Sequence, residues 1–220
     1  MHPLKLLAEL NEDVQIITEG TDKDKKYYLE GIVMMGDHVN KNKRMYSMDI
    51  LRPEVSRYIR EYVDKDRAVG ELGHPSGPTV NLDRVSHKFI SLREDGTNYV
   101  GRAVVLDTPQ GLITQRLIDG GVKVGMSSRA LGSLKLNKEG INEVQNDFML
   151  STPGDIVHDP SAADAMMNSI YEQTDWVYES GCWTQRTLDE TTKSLKAASA
   201  SHLEEVTIRL FENLLNTVSK

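Results

Sequence analysis

Between Val69 and Arg84 the chain reads VGELGHPSGPTVNLDR, a run of glycines, prolines, serine and asparagine that neither helix nor strand tolerates throughout. Any fold for this chain has to carry a long irregular connection between two periodic blocks. Connections of that length inside ordinary domains are mostly functional or disordered. The flanking blocks read as strands with interspersed helices. Tyr28 to Met35 (YLEGIVMM), closed by Gly36-Asp37, predicts a buried strand. From Asp49, a candidate cap, Val55, Tyr58, Ile59 and Tyr62 recur at helical spacing, with Pro53 in the first turn. Lys88 to Leu92 and Tyr99 to Leu106 flank Glu94-Asp95-Gly96 and predict a hairpin. Thr108-Pro109 opens a short helix with Leu112, Ile113 and Leu117 on one face, and Gly120-Gly121 closes it. Val122 to Met126 reads as a strand, and Ala130 to Leu136 pairs with Ile141 to Leu150 across Asn137 to Gly140.

Composition bounds the function. A chain of 220 residues with 39% hydrophobic content buries a real core without staples, and no apolar run is long enough to span a membrane. A net charge of −7 argues against a general nucleic-acid binder, which needs surplus Lys and Arg. The lone cysteine, Cys182, makes neither an internal disulfide nor a Cys-rich zinc site, and no secretory signal is evident, so a reduced intracellular setting is expected. Residues 1–27, with the charged run Asp22 to Lys26, read as a loosely attached N-terminal arm. Residues 28–185 read as the main domain. Residues 186–220 read as a helical tail whose Leu203, Val206, Leu210 and Leu214 make a docking stripe.

Three segments carry candidate chemistry. In Gly70-Glu71-Leu72-Gly73-His74-Pro75 the proline pushes His74 toward extended backbone and holds its ring out from a turn, which suits a catalytic base as well as a backbone-capping histidine. In Gly125-Met126-Ser127-Ser128-Arg129-Ala130-Leu131-Gly132-Ser133 a serine at a strand end can face a cleft. A nucleophilic serine needs a base and oxyanion donors, and His74 with Arg129 or backbone N–H groups supplies both if the fold joins them. In Gly154-Asp155-Ile156-Val157-His158 either Asp155 or His158 could orient that histidine, and an Asx-type turn is the structural alternative. A metal site from His74, His87 and His158 lacks any ligand spacing that would support it.

Taken collinearly, these motifs resemble a known family. Tyr28-Leu29-Glu30-Gly31, Asn40-Lys41-Asn42-Lys43-Arg44-Met45-Tyr46, the His74 and Ser127 motifs and Val104-Val105-Leu106-Asp107-Thr108-Pro109-Gln110-Gly111 are similar, over about residues 28–165, to the prohead core proteases of T-even-type bacteriophages. These in turn resemble, more distantly, the herpesvirus capsid-maturation proteases. The resemblance implies an α+β fold with a central, mostly antiparallel β-barrel surrounded by helices. It implies a serine endopeptidase with Ser127 as nucleophile, His74 as base and Asp155 as third member, His158 being the alternative. Arg129 and Ser128 are then the oxyanion candidates. No metal or other cofactor is implied. Cleavage after Glu in aliphatic-x-Glu sites is implied, which makes Glu9 a self-cleavage site in an autoinhibitory arm, with Glu19 the alternative. The implied partners are scaffold and core proteins and the major capsid protein as substrates, plus further copies of the chain in a ring, without nucleic acid or membrane. The implied setting is the prohead interior in the infected host cytoplasm. The competing reading is a non-enzymatic scaffold or tube-like virion protein that shares the fold.

Overall fold

Leu4, Leu6, Leu7, Ala8 and Leu10 place apolar groups on both faces of one extended segment, the pattern of a strand covered above and below. The computed structural model describes residues 4–11, 14–21, 24–75, 77–158, 175–179 and 182–185, and in it that segment is β1 (Leu4–Asn11), with Leu6, Leu7 and Ala8 buried. β2 (Val14–Glu19) follows and pairs antiparallel with β3 (Lys26–Met35). The arm expected over residues 1–27 is thus paired rather than loose in its described residues, β1 with β8 and β12 and β2 with β3, because its apolar run is long enough to enter a sheet. The expected tail over residues 186–220 lies outside the described residues.

The remaining described strands and α-helices, in chain order, are β4 (Arg44–Met45), α1 (Met48–Tyr58), β5 (Val69–Glu71), β6 (Val85–Asp95), β7 (Asn98–Val105), α2 (Pro109–Asp119), β8 (Gly125–Gly132), β9 (Leu134–Leu136), β10 (Asn142–Val144), β11 (Met149–Val157), β12 (Asp175–Glu179) and β13 (Cys182–Gln185). They form two five-stranded sheets, ordered β11-β8-β1-β12-β13 and β2-β3-β7-β6-β5, and a small sheet ordered β4-β10-β9. Pairing is antiparallel except between β4 and β10. The expected barrel does not close. Among the described residues, an isolated parallel bridge, Leu72 to Ile156, is all that links the ladders of the two large sheets. One core joins Leu7, Met126, Ala130 and Ile156 of the first sheet to Leu29, Val33, Phe89 and Ala103 of the second and to Leu51, Val55 and Tyr58 of α1.

Several local expectations shift. Helix α1 starts two residues early, with Ser47 rather than Asp49 at its N-cap, so Pro53 falls in the second turn rather than the first. The loop after Val69 begins as strand, because Val69–Glu71 finds β6 as a partner. The core-facing side of α2 is Gly111 and Thr114, while Leu112 and Ile113 are 46% and 49% exposed. Close approach decides this: a Cβ on Gly111 would sit 1.8 Å from the Leu106 carbonyl oxygen and 2.8 Å from that of Ser86. Gly111→Ala is accordingly expected to lower stability by about 1–3 kcal/mol in a urea melt; an unchanged midpoint would show that α2 can lift at no cost.

The serine-bearing segment also differs. Ser127 lies inside β8 rather than at a strand end, and all eight residues of that strand are buried between β1 and β11. Ser127, Ser128 and Arg129 break the apolar alternation, so the strand is identifiable only through the partners that satisfy them.

Candidate active site

Register is what assembles the site. β11 runs antiparallel to β8 with Asp155 opposite Ser127, after two irregularities between Leu150 and Asp155 that re-aim its side chains. β5 then delivers the His74 loop to the same place: the Glu71 N–H donates to Asp155 Oδ1 at 2.9 Å, and the Gly73 N–H donates to the Ile156 carbonyl at 2.8 Å. Gly73 has φ 78, a left-handed conformation that glycine adopts without strain, and the reversal there turns His74 back toward β11.

His74 Nδ1 meets Asp155 Oδ2 at 3.2 Å, with the Asp155 side chain fully buried. Burial pushes the Asp155 carboxyl up, but the His74 hydrogen bond, the Arg129 guanidinium and the Glu71 N–H outweigh it and hold the group below the usual range. An ionised acceptor on Nδ1 fixes the imidazole tautomer and leaves Nε2 as the basic nitrogen. Both His74 Nε2 and Ser127 Oγ are buried without a hydrogen-bond partner among the described residues. Leaving such a group unpaired costs about 1–3 kcal/mol, and here one such group sits on the ring that Asp155 holds and the other on the β8 residue opposite Asp155. Resting sites often have this bond unformed and tighten it around substrate.

Arg129 has a different place from the one its position suggested. All of its guanidinium nitrogens are engaged: Nε with Asp155 Oδ2 at 2.9 Å, Nη2 with Glu71 Oε1 at 3.1 Å and Asp155 Oδ1 at 3.3 Å, and Nη1 with the Gly77 and Thr79 carbonyls at 2.6 and 3.1 Å. The guanidinium is thus no oxyanion donor; it ties β11 to the His74 loop. Glu71 in turn accepts from Arg84 Nε at 3.1 Å and the Asn81 N–H at 2.9 Å. Asp155, Arg129 and Glu71 are essentially fully buried, and each charge is tolerated because the next one compensates it. The Ser128 side chain leaves the opposite sheet face from Ser127 and reaches the Glu9 carbonyl at 3.4 Å.

Of the two candidates for third member, Asp155 is the one brought to His74; His158 lies exposed just beyond β11. The three histidines do not gather, and no metal-binding cluster occurs among the described residues. His87 was informative in another way. It is fully buried, with Nε2 on the Gly154 carbonyl and Nδ1 on Ser86 Oγ, both at 2.9 Å, bracing the backbone beside Asp155. Sequence reading assigned no role to Glu71, Arg84 or His87; the only cue was their polarity within otherwise strand-like or glycine-rich segments.

Burial lowers His87 to about 4. Below its unfolded value near 6.5 the unfolded chain takes up a proton that the folded chain refuses until about pH 4. Stability is therefore whole above pH 6.5 and falls as pH drops to 4, by about 3 kcal/mol. Urea melts across this window are expected to show that slope, and His87→Gln to flatten it; an equal slope in the variant would assign it to other groups.

Of the two self-cleavage candidates, Glu19 ends β2 on an exposed pairing with Arg102 at 2.6 Å. Glu9 lies beside the serines: in the β1–β8 ladder it faces Ser128, and Leu10 faces Ser127.

Residues 8–175 match a family of proteins described as prohead core protein serine proteases. The chain is 39% identical over 142 residues to the prohead core protein protease of Enterobacteria phage T4, a match covering 63% of this chain and 66%, just under two thirds, of that relative. It also superimposes on the solved structure of the bacteriophage T4 capsid assembly protease, gp21, with a TM-score of 0.66 at 31% identity, over 71% of this chain and 99% of that one.

Proposed function

The chain belongs to the prohead core protein serine protease family, and on that premise we propose that it is a serine endopeptidase that digests internal scaffold and core proteins and trims capsid precursors inside the phage prohead. One observation carries the reading: His74 Nδ1 is held by Asp155 at 3.2 Å while His74 Nε2 and Ser127 Oγ, both buried, stay uncommitted. Ser127 Oγ attacks the scissile carbonyl carbon and His74 Nε2 takes its proton. Asp155 stabilises the imidazolium, and the proton passes to the leaving amine as the acyl-enzyme forms. Water, deprotonated by the same nitrogen, then releases the acid and regenerates Ser127. Oxyanion donors are backbone N–H groups of the Ser128 and Arg129 region, since the Arg129 guanidinium is spent on Asp155 and Glu71.

Substrates are cut after Glu in aliphatic-x-Glu sequences, and Leu7-Ala8-Glu9 is such a site in the chain itself. β1 covers the edge of β8 beside Ser127, which supports a latent form that opens by cleavage after Glu9. Further copies of the chain assemble with it in the prohead. The test is intact-mass analysis of the full chain over time, beside Ser127→Ala. Loss of residues 1–9 from the wild type alone is expected. Equal processing of Ser127→Ala, or no change in either alongside scaffold substrate, would favour the non-enzymatic virion protein instead.

A further inference from the structure

Among the charged clusters the mechanism does not use, one lies on the face of β8 away from Ser127. The Asn40–Tyr46 segment folds on itself: Asn40 Oδ1 accepts from the N–H groups of Asn42 at 3.0 Å and Arg44 at 2.9 Å, and Lys43 has φ 54. The turn aims three donors at one carboxylate. Glu9 Oε1 receives Arg44 Nη1 at 2.8 Å and the Tyr46 hydroxyl at 2.6 Å, while Oε2 receives Asn42 Nδ2 at 2.8 Å. Arg44 Nη1 and Asn42 Nδ2 also reach the Ala8 carbonyl, at 3.2 and 3.4 Å. Arg44 is fully buried and Tyr46 nearly so. Burial first, then the Glu9 carboxylate, push the Tyr46 hydroxyl well above its ordinary range, so it stays a donor.

The cluster thus reads an extended strand by a glutamate carboxylate and by the preceding carbonyl, and Leu7 two residues earlier is buried in the core. That strand pairs with the one bearing the nucleophile. Because side chains alternate, the Glu9 carboxylate enters on one face of the sheet while Ser127 stands on the other beside Leu10. The Glu9–Leu10 peptide link runs between pocket and nucleophile.

We propose that Arg44, Asn42 and Tyr46 form the specificity pocket for the glutamate that precedes the scissile bond, and that Glu9 occupies it in cis. The proposal rests on the peptidase reading above and names how that site chooses its substrate. The Arg44 guanidinium has no acceptor and pairs with a carboxylate charge that glutamine lacks, so glutamine loses the charge-assisted bond and must turn the Asn42 amide or the Tyr46 hydroxyl to place its own N–H, and an aspartate falls one methylene short.

The test compares kcat/KM of the full chain on a peptide of sequence Leu4–Asn11 and on the same peptide with Gln in place of Glu. The wild type is expected to prefer Glu by about 10²-fold or more. Arg44→Met is expected to bring the ratio within about tenfold, and Tyr46→Phe, which deletes one oxygen and keeps the ring packed edge-on against Phe148, to lower it by about tenfold. An unchanged ratio in folded Tyr46→Phe and Asn42→Ser, or a wild type indifferent to the substitution, overturns the pocket while leaving the peptidase. Failure of the wild type to cut either peptide once it has lost residues 1–9 overturns both.

Discussion

His74→Ala is expected to lower kcat on a peptide substrate by about 10⁶-fold while leaving the urea midpoint near that of the wild type. The two halves of this expectation have separate causes. Chemistry collapses because, on the proposed mechanism, His74 Nε2 is the group that takes the Ser127 proton. Stability holds because His74 Nε2 supports no other group and Asp155 retains Arg129 and the Glu71 N–H after the ring is gone. The double variant with Ser127→Ala is expected to be no slower than either single one, since the two act as a unit. A single-turnover assay beside the melt decides. Activity within about tenfold of wild type would remove His74 from the mechanism, and a parallel loss of activity and stability would make the ring a strut.

Arg129→Met reverses that pattern. Its guanidinium lies between two buried carboxylates and two loop carbonyls, so removing it strands Asp155 and Glu71 with fewer partners in a region closed to water. Breaking one side of a buried ion pair costs about 3–5 kcal/mol, a large share of the stability of an ordinary domain. The urea midpoint is expected to fall accordingly. Arg129→Lys is expected to fall between the two, because an ammonium carries the charge but cannot fork to both carboxylates. A midpoint equal to wild type in Arg129→Met would mean that Glu71 and Asp155 are held well enough by Arg84, Asn81 and His74 alone.

Much of the site could be named before any coordinates. Ser127, His74 and Asp155 stand out as polar groups in glycine-punctuated segments, and their family motifs are short enough to read directly. Spacing could not say that His74 reaches Asp155 or that Asp155 lies opposite Ser127. The distance from 74 to 127 to 155 along the chain is bridged by a β8–β11 register that two irregularities shift, and no local pattern encodes where such irregularities fall. Arg129 misled for the same reason: a guanidinium next to a candidate nucleophile suggests a donor for substrate, and only the positions of Glu71, Gly77 and Thr79 reveal that its donors are taken. Glu9 drew notice for the residues around it, and nothing in Asn42, Arg44 or Tyr46 alone announced that they converge on its carboxylate.

What the sequence by itself determined are the features set by neighbours a few residues apart. The tight Gly96 turn between β6 and β7 and the Thr108 cap and Gly120-Gly121 stop of α2 depend on backbone angles and short-range hydrogen bonds that particular residues supply. The tertiary structure alone decided that β1 joins β8 and becomes a central strand, that Gly111 rather than Leu112 turns α2 inward, and that the sheets stay open instead of closing into a barrel. These outcomes rest on contacts between segments far apart in the chain. They are settled by which faces can be covered and which buried charges can find partners, and no short window of sequence contains both members of such a pair.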